Sequence, residues 1–187
     1  MRVLAISGSL RRDSHNTQLL RAAADLLPPS VELELFEGLR AVEPYDEDYD
    51  VEEAPEGARR LREAIASADA VLFATPEYNS SIPGQLKNAI DWASRPRGEA
   101  ALLSKPVAVI GATTGMFGAV WAQAELRKVL ASAGARVIDG ELPVAAVHEA
   151  YDAAGRLVID DHEGTLREIL DQLLAEARQR EPDSAAA

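Results

Sequence analysis

The chain has 187 residues, of which 47% are hydrophobic and 27% charged, values typical of a globular protein built as one domain. Its formal net charge of −12 argues against nonspecific binding to nucleic acid or to an anionic membrane, because both would be repelled. The absence of cysteine excludes disulfides, thiolate nucleophiles and Cys-based zinc sites. Since neither a signal peptide nor an apolar run of membrane-spanning length is visible, we expect a cytoplasmic protein.

Strand and helix patterns alternate along the chain. Short apolar runs predict buried strands at 3–7, 70–75 and 106–112, with an alternating strand, VELELF, at 31–36 and a less regular one at 135–147. Apolar residues at helical spacing predict helices around 19–27, 58–68, 85–94, 119–133 and 166–174. The segment 37–56 is acidic and has no periodicity, so it is predicted to be a long solvated surface loop.

Five strands separated by helices predict an α/β fold with right-handed βαβ units: a doubly wound, five-stranded parallel sheet with helices on both faces. The alternating second strand suits a sheet edge, which favours the order 2-1-3-4-5. Residues 1–180 would form the domain, and 181–187 a frayed tail. In such sheets ligands bind beyond the carboxyl ends of the strands, near the point where the order reverses. The loops after strands 1, 3 and 4 should therefore converge on a site.

The first of these loops, GSLRRDSHNT at 8–17, matches neither the dinucleotide-binding glycine motif nor the P-loop. It combines short polar side chains with a positive charge, ahead of a helix: Ser9, Arg11, Ser14, Asn16 and Thr17. A phosphate monoester, with three oxygens and a charge of about −1.5 to −2, can be bound by such donors without a metal. The alternative is that Ser14 or Asn16 only caps the helix, which would leave Ser9 and Arg11 unexplained.

The other two loops are suited to a planar ligand. Two prolines stiffen PEYNSSIPG at 76–84, so its backbone amides and carbonyls can be fixed toward a heteroaromatic ring. The loop ATTGMFG at 112–118 allows close backbone approach and adds two hydroxyls. Either loop could also be a plain connector, with Tyr78 shielding the core.

No second kind of catalytic centre stands out. The three histidines lack metal-ligand spacing and are expected at the surface or at helix caps: His15, His148 and His162. Glu77 and Asp91 could resemble an acid/base pair, but no histidine or nucleophile accompanies them, and Asp91 is spaced to pair with Lys87. Phosphate donors without an acid, base, nucleophile or metal predict chemistry that is carried by a cofactor.

The segments GSLRRDSHN, PEYNSSIPGQLKNAIDW and GATTGMFGA resemble those of the NADPH-dependent FMN reductase family, flavodoxin-like enzymes that include chromate, quinone and azo-dye reductases. The resemblance implies noncovalent FMN, reduced by NADPH or NADH, and a small electron acceptor such as a quinone, azo dye, chromate-type oxyanion or free flavin. By position, it assigns cofactor binding to Ser9, Arg11, Ser14, His15, Asn16 and Thr17 in the first loop, to Pro76, Glu77, Tyr78 and Asn79 in the second, and to Thr113, Thr114 and Gly115 in the third.

The resemblance also implies a homodimer or homotetramer in which a neighbouring subunit helps to wall the flavin. The helix at 85–94 has one apolar face, and Trp92 lies off that face. Because exposed tryptophans are common at interface centres, Trp92 is predicted to lie between subunits. The alternative is that it folds against its own loop at 95–100.

Two other functions are compatible with the predicted fold. A flavodoxin-type electron carrier without NAD(P)H turnover would suit the acidic surface, although the resemblance is to a reductase. A phosphate-binding hydrolase or receiver-like regulator is disfavoured, because cysteine is absent and no acidic cluster follows strands 1 and 3.

Overall fold

The computed structural model describes residues 1–50, 54–152, 157–158 and 161–179, so the tail predicted at 181–187 lies outside the described residues. Parallel strands run in the order β2-β1-β3-β4-β5. They are β1 (Arg2–Ser7), β2 (Glu32–Leu35), β3 (Ala70–Thr75), β4 (Pro106–Ala112) and β5 (Arg136–Val137). The predicted order, and the edge position of the alternating strand, are confirmed.

The fifth strand position differs from the single irregular strand predicted at 135–147. Two short pieces pair with β4 in turn: β5 near its start and β6 (Pro143–Val144) beside its last two residues. Pro143 has no N–H to donate, so it can only begin a strand, and the chain between the two pieces leaves the sheet. Leu142, just before β6, accepts from the Gly111 amide of β4 at 3.2 Å, and its backbone also exchanges hydrogen bonds with the Gln123 side chain.

Helices cover both faces of the sheet. They are α1 (His15–Leu26), α2 (Glu56–Ser67), α3 (Gly84–Ala93), α4 (Val120–Ser132) and α5 (His162–Gln179). Alternate residues of the strands supply the two cores. Val3 and Ala5 pack with α1 and α5, whereas Leu4 and Ile6 pack with α2, α3 and α4. No helix in the described part of the chain is long and apolar enough to cross a membrane.

Only part of the segment 37–50 is the solvated loop that its acidity predicted: residues 46–49 are exposed, whereas the part before them is anchored on the domain. Leu39 and Val42 are each only 3% exposed, and the Gln85 side chain of α3 donates to both of their carbonyl oxygens at 2.8 Å. The carboxylate of Glu43 accepts hydrogen bonds from the first amides of α2, where Pro55 cannot provide a side-chain cap. The segment therefore packs on α2 and α3, because two apolar residues and one capping acid anchor it there.

Trp92 is fully buried, which contradicts its predicted place at a subunit interface. Its Nε1 donates to the Glu43 carbonyl oxygen at 2.8 Å, and its ring meets the edge of Tyr45 at 5.0 Å between centroids. The Arg62 guanidinium lies 5.3 Å from the ring centroid. The segment 43–45 thus covers the face of α3 that carries Trp92. The alternative prediction had the loop 95–100 in that place.

Candidate functional site

Three loops lie next to one another at the carboxyl ends of β1, β3 and β4, since these strands are neighbours in the sheet. They are defined here as loop 1 (8–14), loop 2 (76–83) and loop 3 (113–119). The amide of Gly8 donates to the Ala74 carbonyl oxygen at 2.8 Å, which ties the start of loop 1 to the end of β3. The convergence predicted from the strand order is confirmed.

Loop 1 ends in a capped helix. Ser14 is the N-cap of α1, and its hydroxyl oxygen accepts a hydrogen bond from the Thr17 amide at 3.2 Å. Because the oxygen accepts there, the hydroxyl proton is available to a ligand oxygen. The first turn of α1 contains no acidic residue, so no carboxylate within the helix offsets its partial positive charge. The helix-capping alternative and the phosphate-binding interpretation are therefore compatible.

The positive charge of loop 1 comes from more than Arg11. The Arg11 side chain is exposed, and its backbone amide donates to the Ser9 hydroxyl oxygen at 3.4 Å. Arg40, from the segment 37–50, reaches across and donates to the Leu10 carbonyl oxygen at 2.7 Å. Sequence reasoning missed this second guanidinium, although Arg40 is the only basic residue of the acidic run at 37–56.

Asn16 connects two of the loops. Its side chain is 3% exposed; Nδ2 donates to the Ala112 carbonyl oxygen at 2.9 Å, and Oδ1 accepts from the Ala112 amide at 3.0 Å. This paired contact holds the start of α1 against the end of β4, directly before loop 3. The predicted contact of Asn16 with a phosphate stays a prediction, and would use its backbone amide or its remaining Nδ2 hydrogen. His15 and Thr17, on either side, are partly exposed at the helix start.

Loop 2 contains a tight turn. Tyr78 and Ser81 exchange backbone hydrogen bonds of 3.0 and 3.1 Å, and the two residues between them, Asn79 and Ser80, both have left-handed backbones with φ of 54° and 59°. Such a turn points its strands back on one another and places its tip outward. Tyr78 is 50% exposed, so it does not shield the core. Pro76, at the start of the loop, is buried.

Two carboxylates join loop 2 to helix α4. Glu77 accepts a hydrogen bond from the Ala122 amide at 3.1 Å. Glu125 accepts one from the Ile82 amide at 3.3 Å. The predicted role of Glu77 in lining the flavin ring is therefore confined to its backbone and side-chain stem, since its carboxylate is turned to the helix.

Loop 3 is held from the side of β6. The Thr113 amide donates to the Val144 carbonyl oxygen at 3.0 Å, and the Thr113 hydroxyl oxygen accepts from the Gly115 amide at 3.2 Å. Thr114 and Gly115 are exposed. Gly118 has φ of +60°, and a Cβ there would lie 2.3 Å from the carbonyl carbon of Pro143, so glycine is required.

Gln123 fastens the end of loop 3 and was missed by sequence reasoning. It is fully buried, and its Nε2 donates to the Gly118 carbonyl oxygen at 2.9 Å. A signal was present, because Gln123 is spaced three and seven residues before Leu126 and Leu130, on the buried face of α4. A polar residue in an apolar stripe is informative, since burying an amide requires partners.

Apolar side chains are exposed in loop 3 and at the start of α4. Met116, Phe117 and Trp121 are 76%, 54% and 48% exposed, and the two aromatic rings meet edge to face at 4.9 Å between centroids. These three residues are called the aromatic rim below. The rim adjoins loop 2, because Glu77 contacts the first turn of α4.

The side chains of loop 1 fit a phosphate monoester. Hydroxyls, a guanidinium and the open end of α1 are the groups that wrap a phosphate without a metal, and Asp13, the only carboxylate of the loop, is exposed. Asn16 supports this arrangement by holding the start of α1 against the end of β4 through its paired contact with Ala112. The donor set is therefore suited to the phosphate of FMN.

Comparison with known proteins identifies the family. The family model for NADPH-dependent FMN reductase matches residues 1–149. The chain belongs to the NADPH-dependent FMN reductase family. As a member it is an oxidoreductase with FMN as cofactor and NAD(P)H as reductant, which confirms the resemblance seen in the three loop segments.

Individual relatives agree over nearly the whole chain. An NAD(P)H-dependent FMN reductase of Pseudomonas aeruginosa is 43% identical, covering 93% of this chain and 91% of its own. A 2-hydroxy-1,4-benzoquinone reductase of Burkholderia sp is 39% identical, covering 96% and 98%. Among solved structures, the flavoenzyme NAD(P)H:(acceptor) oxidoreductase FerB of Paracoccus denitrificans superposes with a TM-score of 0.82 at 36% identity, covering 95% and 97%. The FMN reductase assignment thus applies to the chain as a whole and takes precedence over the carrier and hydrolase alternatives.

Proposed function

We propose that this FMN reductase holds the FMN phosphate in loop 1 and the isoalloxazine ring between loops 2 and 3, and that it reduces quinone-type acceptors. The observation that carries the proposal is that the elements bordering the three loops are joined, α1 to the end of β4 through Asn16 and Ala112, and loop 2 to α4 through Glu77 and Ala122. A benzoquinone reductase at 39% identity supports the acceptor class.

Loop 1 would supply the charge and hydrogen bonds for the phosphate. Arg11 contributes a charge-assisted hydrogen bond, Ser14 the proton of its capping hydroxyl, and α1 its unpaired amides. The site is locally positive in a chain of net charge −12, which disfavours anions elsewhere on the surface. Riboflavin, which lacks the phosphate, should therefore bind much more weakly than FMN.

Loops 2 and 3 would orient the ring. Their backbones are fixed by the tight turn in loop 2 and by the contacts of Thr113 and Gln123 in loop 3, so they are prepared for a flat ligand before it binds. Bound FMN would supply the redox chemistry, hydride acceptance from NAD(P)H and electron delivery to the acceptor. The chain's own contribution is placement and electrostatics.

One experiment tests the function. Purified protein should be yellow with one FMN per chain, and NADPH added without oxygen should bleach the flavin until a benzoquinone restores the colour.

A second experiment tests the order of the reaction. Initial-rate lines at several quinone concentrations should be parallel, because donor and acceptor would use one flavin face in succession. A flavin that NADPH does not bleach would indicate an electron carrier, and intersecting lines would indicate a ternary complex.

A matched pair of variants tests the phosphate site. Arg11→Ala should weaken FMN binding about ten- to 150-fold, because a charge-assisted hydrogen bond is lost. Arg12→Ala removes the same charge from the adjacent exposed position and should have a much smaller effect. Equal effects would show that Arg11 acts only through general charge, and FAD or riboflavin binding as tightly as FMN would contradict the phosphate assignment.

The aromatic rim supports an oligomeric form. Two rings and a methionine exposed side by side at the edge of the site are costly for a monomer and typical of an interface. The homodimer or homotetramer implied by the family resemblance would therefore meet at this rim and not at the buried Trp92. We place the enzyme in the cytoplasm, where NAD(P)H is supplied.

A further inference from the structure

Helix α4 begins without a cap of its own. Its N-cap residue, Ala119, has no side-chain oxygen and a left-handed backbone with φ of 61°. The Ala122 amide, in the first turn, donates instead to the Glu77 carboxylate of loop 2 at 3.1 Å. A carboxylate at this end also offsets the partial positive charge of the helix. The charge that completes α4 thus comes from the loop placed against the flavin ring.

A second contact joins the same two elements in the opposite direction. Glu125, one turn further along α4, accepts from the Ile82 amide at 3.3 Å. Glu77 and Ile82 lie on either side of the Tyr78–Ser81 turn, so the two bonds bracket it. Both carboxylates are partly buried, where a hydrogen bond to an ionised acceptor is stronger than at an open surface. The spacing between loop 2 and α4 is therefore fixed at two points.

We propose that Glu77 and Glu125 are positioning residues that form a strap between loop 2 and α4, and that the Glu77 charge also tunes the flavin. This inference rests on the proposed placement of the ring between loops 2 and 3. The strap sets the width of that space, because α4 follows directly from loop 3. Flavin reduction adds negative charge, and Glu77 disfavours it by neutralising the positive end of α4. The two carboxylates thus fix the spacing between loop 2 and α4, and the Glu77 charge keeps the reduction potential of the flavin low.

Three variants separate the strap from the charge. Glu77→Gln keeps a hydrogen-bond acceptor and removes the charge, whereas Glu77→Ala removes both. Glu125→Gln removes the charge of the second carboxylate in the strap. Glu163→Gln, in an exposed ion pair with Arg167 on α5, is the control for net charge. Each full-length protein is studied by amide hydrogen exchange with and without FMN, by FMN titration, and by measurement of the flavin midpoint potential.

For Glu77→Gln we expect a flavin that is easier to reduce, by three- to tenfold in the reduction equilibrium or about 15–30 mV for a two-electron couple. Its FMN dissociation constant should change less than about threefold, because the acceptor is kept.

Glu77→Ala should speed exchange at 120–123 about tenfold or more, and raise KM for a benzoquinone more than it lowers kcat. Glu125→Gln should speed exchange at Ile82 with a smaller shift in potential, and Glu163→Gln should change none of these.

Equal midpoint potentials in Glu77→Gln and Glu163→Gln would overturn the tuning by charge. Unchanged exchange at 120–123 in Glu77→Ala would overturn the strap. Failure of the unmodified protein to bind FMN would instead overturn the proposed function, together with the tuning that depends on it. The exchange measurement does not require flavin, so it tests the strap whether or not the protein binds FMN.

Discussion

The two tryptophans of the chain lie on neighbouring helices of the same sheet face and have opposite surroundings. Trp92 on α3 is fully buried beneath the segment 43–45, with its Nε1 bonded and its ring against Tyr45. Trp121 in the first turn of α4 is 48% exposed and touches Phe117. The comparison shows that the exposure of a helix face depends on which distant segment covers it.

The two regions also differ in what they do. The outer face of α3 is closed by several hydrogen bonds between the side chains of Gln85, Asn88 and Trp92 and the backbone of the segment 37–50. In the first turn of α4, Trp121 stays exposed at the edge of the proposed flavin site, and the Ala122 amide is held by the Glu77 carboxylate of loop 2. The first region contributes stability, and the second is available for recognition.

Truncating the two tryptophans should separate these regions most clearly. Trp92→Ala is expected to lower the free energy of unfolding by about 3–5 kcal/mol, because a large buried side chain is replaced by a cavity. In the dissociated subunit, Trp121→Ala loses its edge contact with Phe117 and should lower the free energy of unfolding by only about 0.5–1.5 kcal/mol. Urea unfolding measures both, and equal costs would contradict the distinction.

A charge in the aromatic rim tests its role in association. Trp121→Glu would place a carboxylate in the proposed interface and should weaken assembly by about 2–4 kcal/mol, or roughly 30- to 700-fold. Ala131→Glu, at an exposed position near the other end of α4, is the control. Sedimentation over a concentration series measures the assembly. A wild-type monomer at micromolar concentration, active and with flavin bound, would exclude the interface.

The cover over Trp92 can be loosened without touching the tryptophan. Asn88 accepts from the Tyr45 amide at 2.6 Å and donates to the Glu43 carbonyl oxygen at 2.9 Å. Asn88→Ala should therefore cost about 1–3 kcal/mol and increase acrylamide quenching of tryptophan fluorescence. Gln172→Ala, exposed on α5, should do neither. If quenching in Asn88→Ala stays at the wild-type level, the segment is held by other contacts.

The smallest expected effect is a gain in stability at the first turn of α4. Ala119 has φ of 61°, a conformation that glycine adopts without strain. Ala119→Gly should raise the free energy of unfolding by no more than about 0.5 kcal/mol, because relief of strain exceeds the added entropy of the unfolded chain together with the loss of one buried methyl group. Ala124→Gly, within the same helix, should instead lower it by about 1 kcal/mol. Equal signs would show that the Ala119 backbone is not strained.

The order of the sheet and the convergence of the three loops followed from the hydrophobic pattern. Apolar runs identified β3 and β4 with their observed bounds, and the alternating run identified β2 as an edge. In a parallel sheet of this order the loops after β1, β3 and β4 must be neighbours, so their polar residues could be assigned to one site. The N-cap Ser14 was also visible, because capping is a local interaction.

The partners of individual side chains were decided by the tertiary structure. Asn16 bonds to a residue 96 positions away and Glu77 to one 45 positions away. Trp92 is covered by a residue 49 positions earlier in the chain. Periodicity reports which side of its own element a residue faces, but not which distant backbone group meets it there. The sequence by itself therefore determined the fold, the family and the convergence of the three loops, whereas the packing of the loops and of the segment 37–50 determined which polar residues bridge elements and which stay exposed.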